Sequence, residues 1–190
     1  HVPNRLDEET ARKLAQDGAC VLHRDAGARA LLCATGAYQL SEAVRASRRL
    51  TTRGIAHSLA YLAEPGRFRE PRDSDEANFC VDASVQREVF PRSEDVRIFF
   101  CHMRPETLLG IVRPLDTGPA TTSALGYRNR GGTLDVQGML FANRCTWAHG
   151  LWALATAMGI PAEELMSGDE LAALGGKGDP ADLLRSQPAS

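Results

Sequence analysis

The sequence predicts an α/β fold, a sheet with parallel strands and helices packed on its faces. Two observations lead to it. The apolar run Ala30-Leu31-Leu32-Cys33-Ala34-Thr35 ends at Gly36 and opens directly into an amphipathic stretch reaching Arg53. In that stretch Leu40, Ala43, Val44, Ser47 and Leu50 share one helical face, while Glu42, Arg45, Arg48 and Arg49 lie off it. Gly54 then stands where a helix C′ residue is wanted, and residues 55–61 read as a second strand. A strand, a turn, a helix and a strand make a parallel pair. The turn after the first strand's carboxyl end is where such sheets bind ligands.

Taken in order, residues 8–17 read as a lead-in helix and Gly18-Ala19-Cys20-Val21-Leu22-His23 as a short strand. Asp25-Ala26-Gly27 turns the chain into the main strand. Residues 64–76 read as a solvated loop, broken by Pro65, Gly66 and Pro71 and crowded with charges of both signs. Residues 76–90 read as a helix ending before Pro91, and residues 96–102 as a buried strand. Pro105 sits at a first-turn position of the next helix, which Pro114 ends. Residues 120–126 supply a last strand, and Tyr127 to Thr133 a polar loop. A long helix over residues 137–158, capped by Asp135, carries Trp147, Leu151, Leu154 and Met158 on one stripe. Beyond Gly168 the chain is rich in Gly, Asp and Ala and reads as a loosely held tail.

Composition narrows the function classes. The chain has 190 residues, 43% hydrophobic and 24% charged, enough for one ordinary core. A net charge of −2 gives no nucleic-acid or membrane-surface footprint. Cys20, Cys33, Cys80, Cys101 and Cys145 are odd in number, widely spaced and without a Cys-x-x-Cys pair. That pattern speaks against a disulfide framework and a zinc site, and for buried thiols in a reducing cytoplasm. No apolar run approaches about 18 residues and no signal peptide is visible. The first residue is His1 rather than Met, which reads as a processed or excised piece. The Gly36 turn lacks the glycines of a dinucleotide fingerprint and the Gly-Lys-Ser/Thr ending of a P-loop, so it reads as a tight turn.

The ordered motifs resemble the C-terminal domain of the transketolase superfamily, thiamine-diphosphate enzymes built from three α/β domains. Gly18-Ala19-Cys20-Val21-Leu22 matches its short leading strand, Ala34-Thr35-Gly36 the end of its main strand, Glu42-Ala43-Val44-Arg45-Ala46 its helix, and Gly54-Ile55 the entry to its next strand. The second half is most similar to the phosphoketolases, through Phe100-Cys101-His102, through Gly126-Tyr127 with Arg128-Asn129-Arg130 and Gly131-Gly132-Thr133, and through Asn143 followed by His149. Acidic residues of the family pattern are here Gly138, Arg144 and Thr146.

The resemblance implies a three-layer α/β/α sandwich with a mixed, mostly parallel sheet of about five strands, the first strand antiparallel to the rest. It implies a lead-in segment over residues 1–17, the domain proper over 18–166 and a tail over 167–190. It also implies thiamine diphosphate and Mg²⁺ in the full enzyme but not in this chain. The Gly-Asp-Gly…Asn diphosphate motif is missing, since Gly168-Asp169-Glu170 and Gly178-Asp179-Pro180 lack the third glycine, and the cofactor-activating Glu has no candidate. The expectation is therefore a third domain or split subunit of a transketolase- or phosphoketolase-like enzyme acting on ketose phosphates. It would be inactive alone and would serve assembly with the cofactor-binding domains, as a homodimer or larger. A non-catalytic docking or dimerisation module of the same fold is the alternative.

Candidate residues follow. Arg128, Asn129 and Arg130 lie after a strand's carboxyl end, where two guanidiniums could grip a phosphate or carboxylate, or simply pair with neighbouring domains. His102 ends a buried strand, and Asn143 and His149 belong to the last helix region. Trp147 and Trp152, five residues apart, cannot share a helical face, so one faces the core and the other a partner. Cys101 and His102 are adjacent on a strand and point to opposite faces, which denies them a nucleophile–base pairing.

Overall fold

The computed structural model describes residues 6–130 and 132–185. Five strands form one sheet: β1 (Ala19–Arg24), β2 (Ala30–Thr35), β3 (His57–Leu62), β4 (Val96–Cys101) and β5 (Thr122–Leu125). Their spatial order is β1-β3-β2-β4-β5. β2 pairs in parallel with β3 and β4, β4 pairs in parallel with β5, and β1 pairs antiparallel with β3, its register shifting between Val21 and His23. Both faces of β2 are buried, as a central parallel strand requires. Leu32, Ala34, Ile98 and Phe100 point to one side and Leu31, Cys33, Phe99 and Cys101 to the other, giving two cores. This is the expected mixed, mostly parallel α/β/α sandwich.

Helix α1 (Glu8–Asp17) starts at Asp7, whose carboxylate accepts from Thr10 N–H at 2.8 Å, and ends at Gly18 with φ 74°. α2 (Ala37–Thr52) follows Gly36 at φ 106°, a conformation open to glycine. It closes with Gly54 at φ 68° and Ile55 N–H donating to Leu50 O at 3.0 Å. That bond uses up Ile55, so β3 begins at His57 rather than at residue 55.

The expected helix over 76–90 is two short ones, α3 (Ser74–Ala77) and α4 (Ala83–Val89). Val81 N–H donates to Arg67 O at 2.9 Å, and that tie to a neighbouring turn interrupts the helical ladder. The expected loop 64–76 is likewise partly ordered. Its first residues form a 3-10 turn, Pro65–Phe68, whose Phe68 is buried edge-on against Phe90. α5 (Pro105–Ile111) opens on its proline as predicted.

The expected single helix 137–158 is also two, α6 (Val136–Ala142) and α7 (Trp147–Met158). Asp135 caps α6, accepting from Gly138 N–H at 2.7 Å. Arg144 at φ 59° and the Cys145 N–H to Leu140 O bond make the break. The amino end of α7 is served from across the core, where the buried Glu42 carboxylate accepts from Trp147 N–H at 2.8 Å.

The segment read as a loose tail packs instead, through residue 185. It forms α8 (Gly168–Leu174) with a Ser167–Glu170 capping box and α9 (Asp182–Arg185). Glu170 pairs with Arg49 at 2.8 Å, and Leu183 O accepts from Trp147 Nε1 at 3.1 Å and Arg45 Nη2 at 2.7 Å. Polar anchors of this kind are not visible in composition, which is why the segment read as tail. Residues 186–190 lie outside the described ones.

Candidate functional site

β2 connects to β3 on one side and β4 lies on the other, so the sheet has its topological switch between β2 and β4. Chain segments diverge there at the carboxyl ends of both strands, leaving a crevice. A cleft of about 250 Å³ occupies it. Tyr38 and Gln39 enter from the start of α2, Cys101 and His102 from the end of β4, and Tyr127 from the end of β5. The floor comes from α6 and the break after it, through Met139, Leu140, Asn143 and Cys145.

Most of the residues singled out from sequence meet at this edge. Asn143 is buried and acts as a clamp. Its Oδ1 accepts from Arg128 N–H at 2.8 Å and Arg130 N–H at 3.2 Å, while its Nδ2 donates to Arg130 O at 3.0 Å and Met139 O at 2.9 Å. The clamp shapes the loop. Asn129 takes φ 57° and its Oδ1 accepts from Tyr127 Oη–H at 2.9 Å. Arg128 and Arg130 project into solvent, with no ion-pair partner among the described residues. His102 is exposed, its Nδ1 3.2 Å from Thr35 O beside the Gly36 turn.

His149 is part of the packing. Its Nδ1 pairs with Thr146 Oγ at 2.7 Å and its ring meets Phe141 edge-on. Burial above all, with Arg144 and Arg128 adding repulsion, pushes its pKa down to about 4, so it is neutral near pH 7 and poorly placed to give up a proton there. Trp147 departs from its reading as an interface candidate: it is 3% exposed, in the core beneath Arg45 and Arg49. Trp152 is the outward one, 50% exposed.

The cleft's chemistry favours binding over reaction. Cys101 and Cys145 donate to Met103 O and Asn143 O, and burial pushes their thiols up to about 12 and about 11, so neither is a nucleophile near neutrality. What remains is an apolar hollow with an exposed rim of Tyr38, Tyr127, Leu134 and Val136, next to the exposed Arg128 and Arg130. Sequence reasoning missed Tyr38, Gln39, Leu134, Val136 and Met139. The signal that could have found the first two was their position just after Gly36, at the switch.

No protein-family profile matches this sequence, and no curated protein matches it. Its fold does match solved structures. Transketolase from Leishmania mexicana superposes with a TM-score of 0.54 at 12% identity, over 78% of this chain and 19% of that one. A transketolase mutant from Pichia stipitis in complex with xylulose 5-phosphate gives 0.51 at 17% identity, over 82% of this chain and 21% of that one. Transketolase from Campylobacter jejuni gives 0.50 at 12% identity, over 71% and 18%. The fold is transketolase-like, and the chain spans about a fifth of those structures. Among the described residues no helix is long and apolar enough to cross a membrane.

Proposed function

We propose that this chain is the C-terminal-type domain, or a separately encoded subunit, of a cytoplasmic thiamine-diphosphate enzyme that transfers or cleaves a ketol unit of ketose phosphates. Its role is assembly with the cofactor-binding domains. The observation that carries the reading is the exposed apolar rim at the carboxyl edge, in a chain whose fold corresponds to about a fifth of transketolase. Tyrosine and arginine around an apolar hollow are what protein interfaces enrich. The cleft volume of about 250 Å³ falls below the ~300–1,000 Å³ of small-molecule sites. It suits an inserted side chain of a partner better than a cofactor. A phosphoketolase-type reaction is the finer version. It is supported by the convergence of His102, Tyr127 and Asn143 on one cleft.

Purification of the tagged chain from its own source tests this. The expected partner carries the Gly-Asp-Gly…Asn motif, and the complex turns over xylulose 5-phosphate with thiamine diphosphate and Mg²⁺. The isolated chain shows no saturable cofactor binding by calorimetry. A monomer with no such partner, or micromolar cofactor binding by the chain alone, overturns the proposal. A complex that persists when Tyr127→Ala and Val136→Asp are combined moves the interface elsewhere, and Trp152 on α7 is then the favoured surface for a docking or dimerisation module.

A further inference from the structure

At the other end of the sheet, where β1 finishes and β3 begins, three metal-ligating side chains converge. His23 and Asp25 follow one another across the end of β1, and His57 is the first residue of β3. Their ligand atoms all lie within 4.8 Å of one another. His23 Nε2 is 3.1 Å from Asp25 Oδ1, and His57 Nδ1 is 3.5 Å from Asp25 Oδ2. Ligand atoms around a tetrahedral Zn²⁺ stand about 3.3 Å apart at ordinary bond lengths. Two edges of the triangle are therefore already near the required size. His23, whose side chain is 39% exposed, can swing to close the third.

We propose that His23, Asp25 and His57 form a site for a divalent first-row transition metal, with Zn²⁺ the best fit, bound through His23 Nε2, an Asp25 oxygen and His57 Nδ1. Two imidazoles and one carboxylate select this class over Mg²⁺ or Ca²⁺. The strongest sign is the convergence itself: His23 Nε2 is buried and stands 3.1 Å from Asp25 Oδ1 without the alignment of a good hydrogen bond, which leaves the two placed to share an ion.

Asp25 and His57 are tied to each other in advance. His57 N–H donates to Asp25 Oδ2 at 3.1 Å, and Asp25 N–H donates to His57 O at 3.0 Å. The fully buried His57 ring lies 2.7 Å from Ser47 Oγ through Nε2 and 2.9 Å from Ile55 O through Nδ1. Coordination through Nδ1 requires the tautomer with the proton on Nε2, which Ser47 Oγ accepts. A hydrogen bond on the far nitrogen is how ligating histidines are usually oriented. Without an ion, Nδ1–H donates to the Ile55 carbonyl at 2.9 Å, so metal binding through Nδ1 displaces that bond and moves the proton to Nε2. With three protein ligands and a half-exposed mouth, at least one coordination position faces solvent. The ion would pin the end of β1 to the start of β3.

Calorimetric titration of the full chain with ZnCl₂, together with the absorption spectrum of the Co²⁺ form, tests this. The expected result is one Zn²⁺ per chain with micromolar or tighter affinity. His23→Ala and Asp25→Asn should each weaken binding tenfold or more with an unchanged circular dichroism spectrum. Ser47→Ala should weaken it about tenfold by releasing the His57 orientation. Should His23→Ala fail to fold, His23→Asn keeps the size and carries the same expectation. Absence of saturable binding, binding unaffected by the His23 variants, or Co²⁺ bands of thiolate character would each overturn the site. The cluster lies at the opposite end of the sheet from the cleft, so this outcome is independent of whether the chain assembles with cofactor-binding domains.

Discussion

Gly150 on α7 lies against the Phe100 ring, where an added Cβ would crowd Cζ and stand 2.8 Å from Cε1. Replacing a helical glycine by alanine ordinarily gains up to about 1 kcal/mol, whereas forcing a methyl into a packed core costs about 1–3 kcal/mol. Gly150→Ala is therefore expected to lower stability in urea unfolding, and a gain would mean that Phe100 yields freely. His149 sets a pH dependence by a different route. Its folded pKa, pushed down to about 4 mainly by burial, lies below the ~6.5 of an unfolded histidine. Between those values the unfolded chain takes up a proton that the folded chain refuses. Stability then drains as pH falls through that window, by up to ~3 kcal/mol. Subtracting the urea midpoints of His149→Gln from those of the unmodified chain across the range isolates the effect. A flat difference would show that burial does not hold this ring neutral.

At the scale of elements, the break between α6 and α7 does the most for the cleft. It delivers the Asn143 amide to the Arg128–Arg130 loop. Asn143→Ala removes four part-buried hydrogen bonds at once, three of them to the Arg128 and Arg130 backbone, a loss of about 1–3 kcal/mol. Amide exchange at Arg128 and Arg130 should accelerate markedly while that of β2 stays slow; unchanged exchange would show that the loop holds its shape without the clamp. The strands were legible in the sequence because β2, up to Thr35, and β4, apart from Arg97, are apolar and bounded by turns. Gly36, Gly54 and Asp135 announced their helix boundaries through local chemistry. The 143–145 break was not legible, because no glycine or proline marks it: Arg144 takes φ 59° and Cys145 N–H closes on Leu140 O. The placement of α8 was hidden because its anchor, Arg49, lies 121 positions earlier in the chain. Asn143 was named from resemblance, but its clamping role needed the loop's coordinates.

Across the whole molecule, the two tryptophans separate stability from association. Trp147→Ala empties a core site and strips the Nε1 bond to Leu183 O, so it should cost about 3–5 kcal/mol. Trp152→Ala touches an exposed ring and should change stability by less than ~0.5 kcal/mol. Light scattering and thermal melts on both variants, with the partner domains present, show whether Trp152 carries contact energy. If association is unmoved, the rim around Tyr127 carries it alone. The sheet itself adds a restriction of another kind. An open sheet ends in two rows of unsatisfied backbone N–H and C=O groups, a standing template for a visiting strand. Here β5 offers only four residues on one border, and the register shift between Val21 and His23 interrupts β1 on the other. Neither border is long and flat enough to seed a continuous ribbon. A strand added at either border would find only a short run of backbone groups in register, which disfavours growth of a continuous ribbon.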